Sequence, residues 1–172
     1  MKKLLIVVDY QIDFVNGALG FEGAEKLEPK IYDRILKAKE DNEDIVFTKD
    51  VHEENYMETE EGKNLPVPHC IRGSESTKLY GRIEEMSKGY KTFEKATFGS
   101  IELAKYLDGK KYDVITLVGL VSYICVLSNA VIAKAACPNA HIIVEKDLTS
   151  AAFLHEQDVG FEALKNIHVE IK

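Results

Sequence analysis

LLIVVD, residues 4–9, is an unbroken apolar run closed by a carboxylate. A strand with one wet face alternates apolar and polar residues, whereas a strand of a parallel sheet covered on both faces reads as a continuous apolar run. DIVFTKD (44–50), YDVITLVG (112–119), HIIVEKD (141–147) and HVEIK (168–172) share this Val- and Ile-rich character, and GYKTFEK (89–95) is a further strand or an extended loop. Between the first two runs, Leu27, Ile31, Ile35 and Ala38 recur at helical spacing, with Pro29 tolerable in a first turn. Helices are also expected over 99–108, 122–136 and 153–166. Strands alternating with helices predict right-handed crossovers and a three-layer α/β/α sandwich around a mainly parallel sheet of about six strands.

At 172 residues the chain fits one domain, 1–172, large enough to bury its own core. Neither a repeat nor a Pro/Gly-rich linker divides it, and the long irregular segment 51–73 suits a site loop. The composition, 45% apolar and 30% charged, is that of a globular protein, and the net charge of −7 excludes a nucleic-acid surface built on clustered Lys and Arg. MKKLLIVVDYQ starts like a signal peptide, but Asp9 ends the apolar run too early for a membrane span. No membrane partner is expected. The three cysteines, Cys70, Cys125 and Cys137, are odd in number and irregular in spacing. They form no disulfide framework, and the expected setting is a reducing cytoplasm.

In open α/β sheets, ligands bind beyond the carboxyl ends of the strands. Asp9 ends the first run, Asp50 the second with His52 just beyond, and YDVITLVG leads into LVSYIC. Asp9 is costly there unless solvated, hydrogen-bonded or paired. Cys125 follows Gly119 at a strand-to-helix turn, where Ser122 can cap the helix. Backbone N–H groups in a first turn favour a thiolate and can hold an oxyanion, so Cys125 is either a nucleophile or a small buried apolar residue. Cys137, ahead of Pro138, suits packing. Lys95, ahead of an expected helix start, reads by itself as an ordinary surface lysine, and Lys91 is a competitor four residues away.

VPHCIRGSES (67–76) invites comparison with a phosphate-cradling cysteine loop, but Ser76 stands where the phosphate-binding Arg is required and the nearest Arg is Arg72. Asp50, His52 and His69 instead make a possible metal set, with Asp and His two apart at a strand end and a second imidazole returned by the loop. His69 and Cys70, adjacent on extended backbone, point opposite ways and do not share a centre.

Together these residues resemble the isochorismatase-like cysteine hydrolases, and among them the nicotinamidase (pyrazinamidase) branch. The likeness runs from LLIVVDYQIDFVNGALG to VEKDLTSA and rests on order and spacing: the D-x-Q-x-D-F of Asp9, the TKDVH of Asp50 and His52, Pro68-His69-Cys70, Lys95, and Gly119 leading to Cys125. It implies a catalytic triad of Asp9, Lys95 and Cys125, an oxyanion hole from the N–H groups of Val121 and Cys125, and a cis peptide at Leu120–Val121. It further implies one divalent ion, zinc before iron or manganese, held by Asp50, His52 and His69 with Glu61, or else Glu58, as a fourth ligand. Phe14 corresponds to the aromatic that stacks on the substrate ring, and Leu120 and Tyr123 fall on the substrate pocket. The implied activity is hydrolysis of nicotinamide to nicotinate and ammonia through a cysteine thioester, in NAD salvage, by an enzyme that self-associates. Pro66 replaces a common Trp, Val51 a bulky aromatic, and Ser122-Tyr123 the usual Thr-Asp, all on the ring-binding side. The alternatives are hydrolysis of another amide or carbamoyl group, a cysteine-independent metallohydrolase, or a non-catalytic small-molecule binder.

Overall fold

The computed structural model describes residues 1–172. Its strands are β1 (Lys3–Val8), β2 (Asp44–Asp50), β3 (Lys91–Lys95), β4 (Val114–Gly119), β5 (His141–Thr149) and β6 (Val169–Ile171). Its helices are α1 (Ile12–Val15), α2 (Leu27–Glu40), α3 (Glu60–Asn64), α4 (Arg82–Ser87), α5 (Ile101–Leu107), α6 (Leu127–Ala136) and α7 (Leu154–Asn166). All six strands are parallel, in the order β3-β2-β1-β4-β5-β6. The chain runs outward from β1 to β3, then crosses back to lay β4 on the other side of β1. A crevice opens at such a reversal of strand order, beyond the strand ends.

β1 is central, and the side chains of Leu4 through Val8 are fully buried, as its continuous apolar run requires. Leu4, Ile6 and Val8 enter one core with Leu103, Ala130, Ala133, Phe161 and Leu164 of α5, α6 and α7. Leu5 and Val7 face the opposite core with Phe14, Ile31, Ile35, Ala38 and Ile83 of α1, α2 and α4. Three layers follow directly from this alternation.

The expected elements are present, with shifted ends. β1 stops at Val8 because Asp9 turns into the left-handed region (φ 42°), and 89–95 is a strand from Lys91. β4 starts only at Val114, which pairs with Lys3, the first residue of β1. β5 continues to Thr149, past a register shift that pairs it with Gly119. The helix expected over 122–136 is corrected: Ser122–Val126 is a π-helical turn and α6 starts at Leu127. Ser122 makes no capping bond. The segment 51–73 contains a 3₁₀ turn (Tyr56–Glu58) and α3, which Thr59 caps by accepting the Gly62 N–H. No helix is long and apolar enough to cross a membrane.

Candidate active site

Three strand ends and one turn bring the acids, amine and thiol together. Asp9 is fully buried, and its Oδ1 accepts the Thr48 hydroxyl at 2.6 Å. Its Oδ2 lies 2.5 Å from Lys95 Nζ. The same ammonium is 3.7 Å from Cys125 Sγ and 3.6 Å from Asp50 Oδ1. Lys95, not Lys91, holds this place. Both lysines lie on one face of β3, but Lys95 stands at its carboxyl end, beside the other strand ends, and Lys91 at the opposite, exposed end, its ammonium over the rings of Phe93 and Tyr106.

Gly119 makes the approach of β4 possible. A Cβ there would sit 2.0 Å from the Val8 carbonyl oxygen, and its φ of 109° suits only glycine. The chain then passes a cis peptide at Leu120–Val121 into the turn that carries Cys125. Gly160 of α7 lets the turn sink inward, since a Cβ there would meet Tyr123 Cβ at 2.6 Å.

Burial raises the Asp9 carboxyl against the pull of Lys95. Burial pulls the Lys95 ammonium down, but the charges of Asp9, Cys125 and Asp50 outweigh it and raise it. The Cys125 thiol is pushed well up by burial and by the Asp9 charge, against the pull of Lys95. The expected place in the first turn of an α-helix is corrected: Cys125 sits buried in a π turn, beside Asp9 and Lys95.

Asp50, His52 and His69 converge, and Glu61, the first choice for a fourth ligand, joins them. The ligand atoms of Asp50, His52, Glu61 and His69 all lie within 4.8 Å of one another. His52 Nε2 and His69 Nε2 stand 2.9 and 3.3 Å from Asp50 Oδ2, and 3.7 and 3.6 Å from Glu61 Oε1. His69 Nδ1 is 2.7 Å from the Val67 carbonyl, which fixes its proton there and leaves Nε2 free to ligate. Asp50 Oδ1 and Glu61 Oε2 are buried without hydrogen-bond partners, and burial and the Asp50 charge raise the Glu61 carboxyl. Two imidazoles and two under-satisfied carboxylates fit one divalent cation. Glu58, the alternate ligand, is exposed and outside the cluster.

His69 and Cys70 diverge, though the backbone is not extended as expected: Cys70 turns into the left-handed region (φ 47°). His69 joins the cluster, whereas Cys70 is fully buried in the α1–α2–α4 core with its thiol pushed far up by burial. Cys137 is buried among α5, α6 and α7, with Sγ 3.6 Å from the Leu107 carbonyl.

A cavity of about 260 Å³ opens beside both groups of residues. Asp50, Glu61, His69 and Cys125 supply its polar end, and Phe14, Leu19, Phe21, Leu65, Phe98 and Phe153 its walls. Phe14 stands edge-on to His69, with ring centroids 5.6 Å apart. Tyr123 and Val121 also line it. Leu120 does not: its side chain is fully buried in the α1–α2–α4 core, on the far side of the peptide.

Three buried polar residues went unread in the sequence. Thr48 orients Asp9. Gln11 accepts the Asp50 N–H at 2.7 Å and donates to the Asp50 and Thr77 carbonyls at 2.8 and 3.0 Å, so one amide fixes the backbone of a metal-set residue on both sides. Asn129 bridges the Cys125 turn to the segment after β3. The signal was present for Gln11, in DYQ beyond a strand end, and for Asn129, a lone amide in the apolar run of α6.

No curated protein matches the chain by sequence. Among solved structures it resembles the pyrazinamidase of Pyrococcus horikoshii in complex with zinc (26% identity, covering 100% of this chain and 99% of that one, TM-score 0.87). It also resembles the nicotinamidase of Bacillus subtilis (28%, 99% of each chain, TM-score 0.85) and the pyrazinamidase/nicotinamidase of Streptococcus mutans (26%, 99% and 100%, TM-score 0.86). The isochorismatase domain matches residues 3–171, a span that takes in every strand end and the turn described above. The chain therefore belongs to the isochorismatase family, as an amidohydrolase akin to its pyrazinamidase and nicotinamidase members.

Proposed function

We propose that the protein is a metal-dependent nicotinamidase, converting nicotinamide and water to nicotinate and ammonia with Cys125 as nucleophile. The observation that carries this reading is one cavity whose polar end combines Cys125 with members of a four-residue metal set. The walls are apolar and aromatic, suited to a flat ring. No Lys or Arg lines the cavity, so nothing there pairs the free carboxylate of an N-carbamoyl amino acid. A neutral aromatic amide fits both ends.

Asp9 takes the Cys125 proton as Sγ attacks the carboxamide carbon, and Lys95 holds the acid ionised and oriented. The N–H groups of Val121 and Cys125 receive the developing oxyanion, each such donor contributing a factor of about 10² to 10³ in rate. Asp9 then gives its proton to the departing ammonia, leaving a thioester on Sγ. Asp9 next takes a proton from water as it attacks the thioester carbon, then returns it to the departing sulfur, so that Cys125 leaves as the thiol and the Asp9 carboxylate is restored. Asp50, His52, Glu61 and His69 would hold a divalent ion, zinc as in the Pyrococcus horikoshii relative, which when bound offers a Lewis-acid site for the pyridine nitrogen. Phe14 and Tyr123 flank the ring.

Comparison of nicotinamide with benzamide, which lacks the ring nitrogen, tests this directly. Nicotinamide should be preferred by at least about 100-fold in kcat/KM, and chelation should erase the preference. Equal turnover of the two amides, or preference for an N-carbamoyl amino acid, would overturn the assignment.

A further inference from the structure

Asn129 is fully buried on α6, and every hydrogen-bonding group of its side chain has a partner. Nδ2 donates to the Cys125 carbonyl at 2.8 Å and to the Phe98 carbonyl at 3.1 Å, while Oδ1 accepts the Ser100 N–H at 3.1 Å. The first partner lies in the turn that carries the thiol. The other two lie in the segment that leaves β3 just after Lys95 and ends where the Ser100 hydroxyl caps α5 by accepting the Leu103 N–H. That segment is laid tightly on α6, because a Cβ at Gly99 would meet Ile132 Cδ1 at 2.7 Å. Phe98, half-exposed, forms part of the cavity wall.

One amide therefore ties the exit of the strand bearing Lys95 to the turn bearing Cys125. Lys95 and Cys125 come from strands on opposite sides of β1, and no ladder bond joins β3 to β4. We infer that Asn129 is a positioning residue that sets the spacing of the Lys95 amine and the Cys125 thiol and holds the Phe98 wall at the cavity. This rests on Cys125 being the nucleophile proposed above. The groups facing that thiol are Asp9 from the end of β1, Asp50 from β2 and Lys95 from β3. Of these, Lys95 is the one whose element Asn129 grips.

Asn129→Leu keeps a comparable volume but removes all three bonds. Asn129→Ser keeps a polar group too short to span both segments, and serves if the Leu variant does not fold. Ala133→Gly, at a buried position on the same helix outside the bridge, is the control for loss of stability alone. The readouts are the rate of Cys125 alkylation by iodoacetamide, resolved by site in the mass spectrometer, and kcat and KM for nicotinamide. Either Asn129 variant should slow alkylation and kcat by at least about 10-fold. Ala133→Gly should leave both near the parent value while lowering Tm. Alkylation and kcat unchanged or faster in the Asn129 variants, or slowed equally by Ala133→Gly, would overturn the inference. Alkylation needs no amide substrate, so a parent inert toward nicotinamide but selectively alkylated at Cys125 loses the substrate assignment and keeps this rate comparison intact. A Cys125 that reacts no faster than Cys70 and Cys137 overturns both.

Discussion

Lys95 and Lys91 occupy the two ends of one short strand on the same face, and only the carboxyl end lies at the site. Lys95 is buried against Asp9 and Cys125, whereas Lys91 is exposed. Lys95→Met should therefore lower kcat for amide hydrolysis by at least about 10²-fold, since it removes the partner that keeps the base charged and oriented, and Lys91→Met should leave it unchanged. A steady-state ammonia assay on both variants checks this. Gln11 predicts a different loss. Replacing it by Leu frees the Asp50 peptide and deprives the buried Asp50 and Thr77 carbonyls of a donor, so the affinity for a divalent ion should fall about 10- to 100-fold. Competition with a chromogenic chelator measures it. At this scale the sequence was legible wherever a chemically distinctive residue stood at a strand end: Asp9, Asp50, His52, Lys95 and Cys125. It did not give the roles of Thr48, Gln11 and Asn129, because a buried hydrogen-bonding partner is defined by what folds against it.

Strands and long helices were legible for a related reason. A continuous apolar run or a 3.6-residue period records burial on two faces or on one, whatever the neighbours are. The short helices α1, α3 and α4 carry too few residues for a period, and the π turn before α6 has the same apolar composition as the helix it was merged with. Contacts between distant segments hold such pieces. Both carboxylate oxygens of Glu28 on α2 meet the Arg82 guanidinium at the start of α4, and Glu28 Oε1 also accepts the Arg82 N–H. The Arg82 hydrogen bonds hold the Glu28 carboxyl below its ordinary range. A depressed carboxylate stabilises the fold above its unfolded pKa of about 4.3, and that gain is lost as pH falls through the lower folded value. Glu28→Gln should thus be less stable than the parent at pH 7 and converge with it in acid, as urea melts across that range will show. The gap should be small, because Arg82 is half-exposed.

At the scale of the whole molecule, the reversal of strand order at β1 puts Asp9, Asp50, Lys95 and Cys125 around one opening, while the loop between β2 and α4 brings Glu61 and His69 to it. The cavity walls were the least legible feature. Leu19, Phe21, Leu65, Phe98 and Phe153 come from four separate connections, and no local pattern marks a loop residue as facing a site rather than water. The metal set predicts a global effect as well. Its ligands lie in β2 and in the following loop, so an ion held by the folded chain alone should raise Tm, with about 2.7 kcal/mol of stabilisation at a hundredfold excess over Kd. Thermal melts with zinc and with chelator measure it, and Glu61→Gln should shrink the shift.

The most direct measurement is ammonia release from nicotinamide by the zinc-loaded protein, the chelated protein and the zinc-loaded Cys125→Ala variant, side by side. The expected result is turnover in the first, a strongly reduced rate in the second that zinc restores, and none above background in the third. Turnover by Cys125→Ala, or a zinc-loaded parent that releases no ammonia, would contradict a metal-dependent cysteine nicotinamidase.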